Sequence, residues 1–192
     1  MILATSELEK VRHNITALND NNIRGSSIDL SIDDKAFIKK NDVMIDLFQV
    51  DSVEDLCADI YDEVDLAKGY ELKPQSYLYS KSVETITMPN TMCGIVLPRS
   101  SFARIGLILP ISSYVNPGYN GNLPIVIFNA SNSIIKIPPY IRIMQLLFCE
   151  LKGEAIPYGS LNDSKYQNES ELSIPKFNDK EIGEILAKLK NK

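Results

Sequence analysis

The 192-residue chain has no tryptophan and one histidine, His13. A single imidazole cannot build a His-rich metal centre, and the zinc-deaminase pattern of H-x-E followed by P-C-x-x-C is missing, which argues against a metal held by protein side chains. Cysteine is scarce as well. Cys57, Cys93 and Cys149 stand far apart without a C-x-x-C pair, which argues against a disulfide framework and fits small buried thiols in a reducing compartment. No run of about 18 apolar residues occurs, and Met1 to Leu8 lacks the basic-then-apolar order of a secretory signal. The expectation is a soluble, cytoplasmic protein without a membrane span. Positive charge is also in deficit, with 20 Lys and Arg against 25 Asp and Glu and a net charge of −5. Duplex nucleic acid needs clustered surplus cations, so that partner is not expected, whereas a small anion needs only a local cationic patch.

The remaining composition is ordinary for a globular chain, 44% apolar and 23% charged, and its length suits one sizeable core. Ser6-Glu-Leu-Glu9 has capping-box spacing, and Leu8, Val11 and Ile15 follow at helical intervals, predicting a short N-terminal helix. After Gly25, Ile28, Leu30 and Ile32 alternate with polar residues as on a half-buried strand. Residues 51 to 65 hold seven acids and read as a solvated insert or short helix. From Glu71 to Glu150, short apolar runs are broken by Pro and Gly: 76–87, 93–97, 106–111, 123–129, 134–137 and 141–148. Many short strands at such spacing predict an all-β sandwich or barrel. The polar stretch from Glu154 through Ser170 reads as a flexible loop or tail. Beyond it, Asn178 is placed to cap a helix with an apolar stripe of Ile182, Ile185, Leu186 and Leu189, expected to pack on the trunk.

Three strings carry chemistry. Pro98-Arg-Ser-Ser-Phe-Ala-Arg-Ile-Gly-Leu107 offers two guanidinium forks and two hydroxyls, groups suited to phosphate oxygens. Tyr114-Val-Asn-Pro-Gly-Tyr-Asn-Gly121 reads as a hairpin leading into Leu123-Pro-Ile-Val-Ile-Phe-Asn129. Pro139-Tyr-Ile-Arg-Ile-Met-Gln-Leu-Leu-Phe148 reads as a further strand.

Together these strings resemble the trimeric dCTP deaminase/dUTPase family. The first is similar to the R-S-S-x-A-R-x-G-L phosphate motif of dCTP deaminases. The second resembles the family hairpin I-D-x-G-aromatic-x-G, and the third its P-G-x-R-I-x-Q-L-x-F strand, with Tyr140 where glycine is usual. Arg24-Gly-Ser-Ser-Ile-Asp-Leu30 and the tail Pro157-Tyr through Lys165-Tyr-Gln-Asn168 extend the likeness towards both ends and favour the dCTP deaminase branch. The resemblance implies a distorted β jelly roll of the dUTPase-like β-clip type with short terminal helices. Residues 1–170 would form that domain and 171–192 a C-terminal helical extension. It further implies a homotrimer with a pyrimidine deoxynucleotide (dCTP, dUTP or dTTP) bound between subunits. It implies no required cofactor, and Mg2+ can arrive through the nucleotide phosphates.

Carried over by motif, Arg99, Ser100, Ser101 and Gln145 would contact the triphosphate, with Tyr158 and Lys165 closing over it. Arg104 would lie near the base and the attacking water. Tyr119 would stack on the deoxyribose, and main-chain groups at Ile111 and Ser112 would read the pyrimidine edge.

Two family acids are replaced. The general-base glutamate falls at Val126, and the aspartate that holds the sugar 3′-hydroxyl falls at Asn116. No Asp or Glu occurs anywhere from Thr85 to Cys149, so a shifted register supplies none either. Neither an amide nor an isopropyl group accepts a proton near neutral pH, and a positioned base is worth about 10²–10⁴ in rate. The expectation is a nucleotide-binding protein with lost or much reduced deaminase and diphosphatase activity. The strand around Val126 is apolar on both faces, which reads as a strand buried between sheets with the former pocket filled. Glu169 stands where glutamine is usual beside the phosphates. Two other readings remain open at this point. An active dCTP deaminase or dUTP diphosphatase would draw its acid from Asp29, the 51–65 segment or Glu169 of a neighbouring subunit. A regulatory trimer would engage a protein partner through the C-terminal helix.

Overall fold

The computed structural model describes residues 1–40, 43–48, 59–110, 114–162, 164–177 and 180–190. A short helix, α1 (Thr5–Val11), precedes ten strands: β1 (Ile28–Lys39), β2 (Tyr61–Asp65), β3 (Glu71–Leu72), β4 (Tyr77–Thr87), β5 (Met92–Pro98), β6 (Leu107–Ile108), β7 (Tyr114–Val115), β8 (Asn120–Asn129), β9 (Ile135–Lys136) and β10 (Arg142–Glu150). One helical turn, α2 (Ser100–Ala103), follows β5, and α3 (Lys180–Lys190) closes the described chain. The main sheet runs β6-β8-β4-β1-β10-β5-β7, with β2 also on β1, and β3 pairs with β9. This is the all-β architecture expected from the spacing of the apolar runs, in the jelly-roll-like form that the resemblance implies.

The sheet curls because β1 serves two sets of partners. Its first residues, Ile28 to Ser31, pair with β10, and Ile32 to Ile38 pair with β4. The register breaks between Leu30 and Ser31 and again between Ile32 and Ala36, and such irregularities bend a strand and raise its twist. Alternation then decides what goes inside. Every second residue of β4 from Leu78 to Ile86 is buried, and Leu30, Ile32, Leu78, Ile86, Ile125, Ile127, Leu146 and Phe148 form one core from both halves of the curl. Each such side chain contributes roughly 1.5–3 kcal/mol on burial.

Several local expectations need correction. Helix α1 begins at Thr5 with Ala4 at the N-cap and no side-chain cap. Ser6 lies inside the helix, and the Thr5 hydroxyl instead contacts the carbonyls of Arg24 and Gly25. In the acidic segment, residues 51–58 lie outside the described residues, but Tyr61–Asp65 is strand β2 rather than insert or helix. It pairs with Lys35–Lys39 of β1, where Lys35 meets Glu63 at 3.6 Å and Lys40 meets Asp62 at 3.2 Å. Cross-strand lysines thus offset the crowded acids. Asn178, the expected cap of α3, lies outside the described residues. The α3 stripe does not seal against the trunk in the single chain, since Ile185 and Leu189 are 46% and 49% exposed.

Candidate functional site

Strand β8 does not have two dry faces. Leu123, Ile125 and Ile127 are buried, while Pro124, Val126 and Phe128 are half-buried on the other side. The space beside this strand is open. A cavity of about 320 Å³ is lined by Asn116, Tyr119, Leu123 and Pro124 from the hairpin and β8, with Tyr79 of β4 and the tail residues Tyr158, Tyr166 and Glu169. Val126 is not in its wall.

The tail closes the cavity, in contrast to the flexible segment expected from its polarity. The Tyr158 amide donates to the Pro117 carbonyl at 2.7 Å, the Asn168 amide to Asn120 at 2.7 Å, and the Asn122 amide to Glu169 at 2.8 Å. Gln167 adds a side-chain bond to the Gly118 carbonyl at 3.0 Å. Residues 168–169 therefore run beside the start of β8 as a short parallel bridge at Gly121 and Glu169. Polarity alone misreads such a segment, because its backbone groups are satisfied by the hairpin and not by water. Ile174 and Pro175 complete the rim.

Gly121 makes this docking feasible. Its φ is +148°, and a Cβ there would sit 2.9 Å from the Glu169 carbonyl oxygen and 2.9 Å from the Tyr119 hydroxyl. Gly121→Ala is expected to undock residues 158–175 at a cost of about 1–3 kcal/mol, with the β core intact. Limited proteolysis should then cut the tail far faster at unchanged near-ultraviolet circular dichroism, and an unaltered cleavage rate would contradict the docking argument.

The electrostatics of the cavity centre on Glu169. Burial pushes its carboxyl above the ordinary range, against smaller downward effects of the Ser173 hydroxyl that donates to it and of Lys176. Burial, reinforced by the Glu169 charge, also raises the phenols of Tyr79 and Tyr119. Both stay neutral hydroxyls, and Tyr119 donates to the Asn122 carbonyl. The rings of Tyr119 and Tyr158 stand 5.8 Å apart, tilted by 55°. Among the described residues, the wall thus offers aromatic faces, one amide and one carboxylate, and no Lys, Arg or His lines it.

The phosphate-motif residues lie elsewhere. Arg99 follows β5 as the N-cap of α2, and Ser100 and Ser101 open α2, exposed with Arg104 just beyond. Gln145 is half-buried, facing Leu97 of β5 and Asp29 of β1 in register. Arg99 lines a second cleft of about 490 Å³ together with Arg142, Ser31, Asn22 and Tyr140. Within one chain, the motif residues therefore divide between two surfaces, Asn116, Tyr119 and Tyr158 on one and Arg99 on the other. Lys165 lines neither; its ammonium donates to the Lys176 carbonyl at 3.0 Å. Ile111 and Ser112 lie outside the described residues.

Sequence proximity suggested no acid near Arg99, but the fold supplies one. Asp29, nearly fully buried, has a carboxylate oxygen 3.3 Å from Arg24 Nε, 3.7 Å from Arg99 Nε and 3.6 Å from Arg142 Nη1. A carboxylate facing three guanidiniums is held as an ion-pair partner. Glu84, also buried, accepts from the Ser31 amide at 2.8 Å and from the Asn22 side chain at 3.2 Å. Burial raises its carboxyl. Among the described residues, no cluster of three or more His, Cys, Asp or Glu is arranged to hold a metal ion, and no helix is long and apolar enough to cross a membrane.

The curled antiparallel sheet and its hairpin-side cavity place the protein in the dUTPase-like β class. A solved 2′-deoxycytidine 5′-triphosphate deaminase from Agrobacterium tumefaciens shares this fold with a TM-score of 0.62 at 21% identity, covering 77% of this chain and 46% of that one. The family is defined by sequence: a dCTP deaminase-like family model matches residues 2–151, and the chain belongs to that family. It is 29% identical over 142 residues to the dUMP-forming dCTP deaminase of Sulfurihydrogenibium sp. (strain YO3AOP1), covering 73% of this chain and 77% of that protein. It is 37% identical over 102 residues to the dCTP deaminase of Buchnera aphidicola subsp. Schizaphis graminum (strain Sg), covering 52% of each.

Proposed function

We propose that the protein binds a pyrimidine deoxynucleotide with lost or much reduced deaminase and diphosphatase turnover. The observation that carries this reading is the open cavity, with Tyr119 and Asn116 in its wall and no acid from the central strands near it. The base and sugar occupy this cavity, with Tyr119 beside the deoxyribose. The phosphates are met by Arg99, Ser100, Ser101 and Gln145 of a second copy, because those groups lie on a different surface of the same chain. A homotrimer satisfies that division, and the exposed Ile95, Leu97 and Tyr114 form an apolar face suited to burial between copies. Mg2+ enters only with the phosphates.

Calorimetry with dCTP, dUTP, dTTP and their monophosphates tests the reading. At least one is expected to bind, and Arg99→Ala is expected to weaken it by about 10–100-fold, the loss of charge-assisted hydrogen bonds. The variant should fold, since Asp29 keeps Arg24 and Arg142. Absence of heat with every nucleotide, or unchanged binding in the variant, would sink the proposal.

A further inference from the structure

Among the described residues, the cavity wall contains one carboxylate and no cation, a combination at odds with a highly charged anionic ligand. The carboxylate is not a mobile surface group. The Glu169 main chain is clamped to the Asn122 amide at 2.8 Å, and its side chain accepts from Ser173. The clamp depends on Gly121, where any larger residue would strike Glu169. The two lysines of the tail are engaged elsewhere: Lys165 donates to the Lys176 carbonyl at 3.0 Å, and Lys176 donates to the Lys165 carbonyl at 2.8 Å. Lys176 also stands 5.3 Å from the centre of the Tyr166 ring. Neither lysine lines the cavity.

We infer that Glu169 is a specificity-determining residue that makes this cavity select the neutral nucleoside part of its ligand and offsets what phosphates gain at Arg99. The inference rests on the proposal that the cavity holds a deoxynucleotide. Tyrosine faces, Leu123 and Pro124 accept a pyrimidine and a deoxyribose without charge. The Asn116 amide and the Glu169 carboxylate give such a ligand hydrogen-bond partners for its amine or hydroxyl donors. A phosphate chain leaving the same cavity passes the Glu169 carboxylate, and repulsion between neighbouring like charges in a partly buried site is worth about tenfold or more in affinity.

The test compares deoxycytidine with dCTP by calorimetry on the full chain, for the wild type, Glu169→Gln and Glu171→Gln. Glutamine keeps an oxygen for Ser173 and leaves the backbone clamp untouched. Glu171→Gln removes an equal charge from an exposed position outside the cavity wall. In the wild type, dCTP is expected to bind within about threefold of deoxycytidine. In Glu169→Gln, dCTP should tighten by about tenfold or more with deoxycytidine unchanged, and Glu171→Gln should move neither. A wild type that binds dCTP more than about tenfold tighter than deoxycytidine, with the ratio unchanged in Glu169→Gln, would overturn the inference while leaving the nucleotide reading intact. If neither ligand binds any of the three proteins, both fall.

Discussion

Placing acids at positions 116 and 126 together, as Asn116→Asp with Val126→Glu, is expected to raise conversion of dCTP to dUTP by about 10²–10⁴ over the parent chain. The magnitude is that of a positioned general base, the group that the stretch from Thr85 to Cys149 lacks. The fold accommodates both changes. Val126 stands on the half-buried face of β8, opposite Tyr79 of β4, and not among the fully buried Ile125 and Ile127. Asn116 is half-buried in the cavity wall, so a carboxylate there has solvent and amide neighbours. Chromatography of products from equal amounts of parent and variant reads the effect. A double variant that binds dCTP but turns over no faster than the parent would show that the missing acids are not what limits the reaction. A parent that already converts dCTP at rates ordinary for an enzyme, about 1–10³ per second, would instead favour an acid recruited from elsewhere. Glu169 is then the first residue to test, because among the described residues it is the one carboxylate in the cavity wall.

Removing the carboxylate of Asp29 should destabilise the fold by about 3 kcal/mol, near the lower end of what breaking a buried ion pair costs. The side chain is 3% exposed, yet its three arginine partners are 30–46% exposed. Water therefore relieves part of the repulsion among the guanidiniums left behind in Asp29→Ala. A shift of the urea midpoint at unchanged slope measures it. Single replacements of Arg24, Arg99 or Arg142 should each cost about 1 kcal/mol or less, because two cations still face the carboxylate. An Asp29→Ala variant within about 1 kcal/mol of the parent would mean that the cluster holds little of the fold together.

The architecture was legible because burial in a β-protein is written as alternation. Leu78, Ser80, Ser82, Glu84 and Ile86 lie on one side of β4 by their spacing alone, and the tight turn at Gly118 is marked by glycine. Elements whose stability comes from a partner strand were misread. Tyr61–Asp65 carries an acidic pattern that in isolation suggests a solvated segment, and it becomes a strand because β1 presents lysines across from it. The polar tail behaves likewise, since its hydrogen-bond partners are backbone groups about 50 residues earlier, such as Asn120 for Asn168.

The site divides along the same line. Residue identity by itself determined the family, the hairpin with Tyr119 and Asn116, the cationic Arg99 segment and the absence of Asp and Glu from Thr85 to Cys149, because each is a property of the local string of residues. Only the tertiary structure decided that Asp29 faces Arg99, that a cavity opens between the hairpin and the tail, that Tyr119 and Arg99 line different surfaces, and that Glu169 is clamped into the cavity wall. Those facts depend on where a curled sheet brings strands together. Curl and register are set by bulges and by pairing across the whole chain, and no local run of side chains records them.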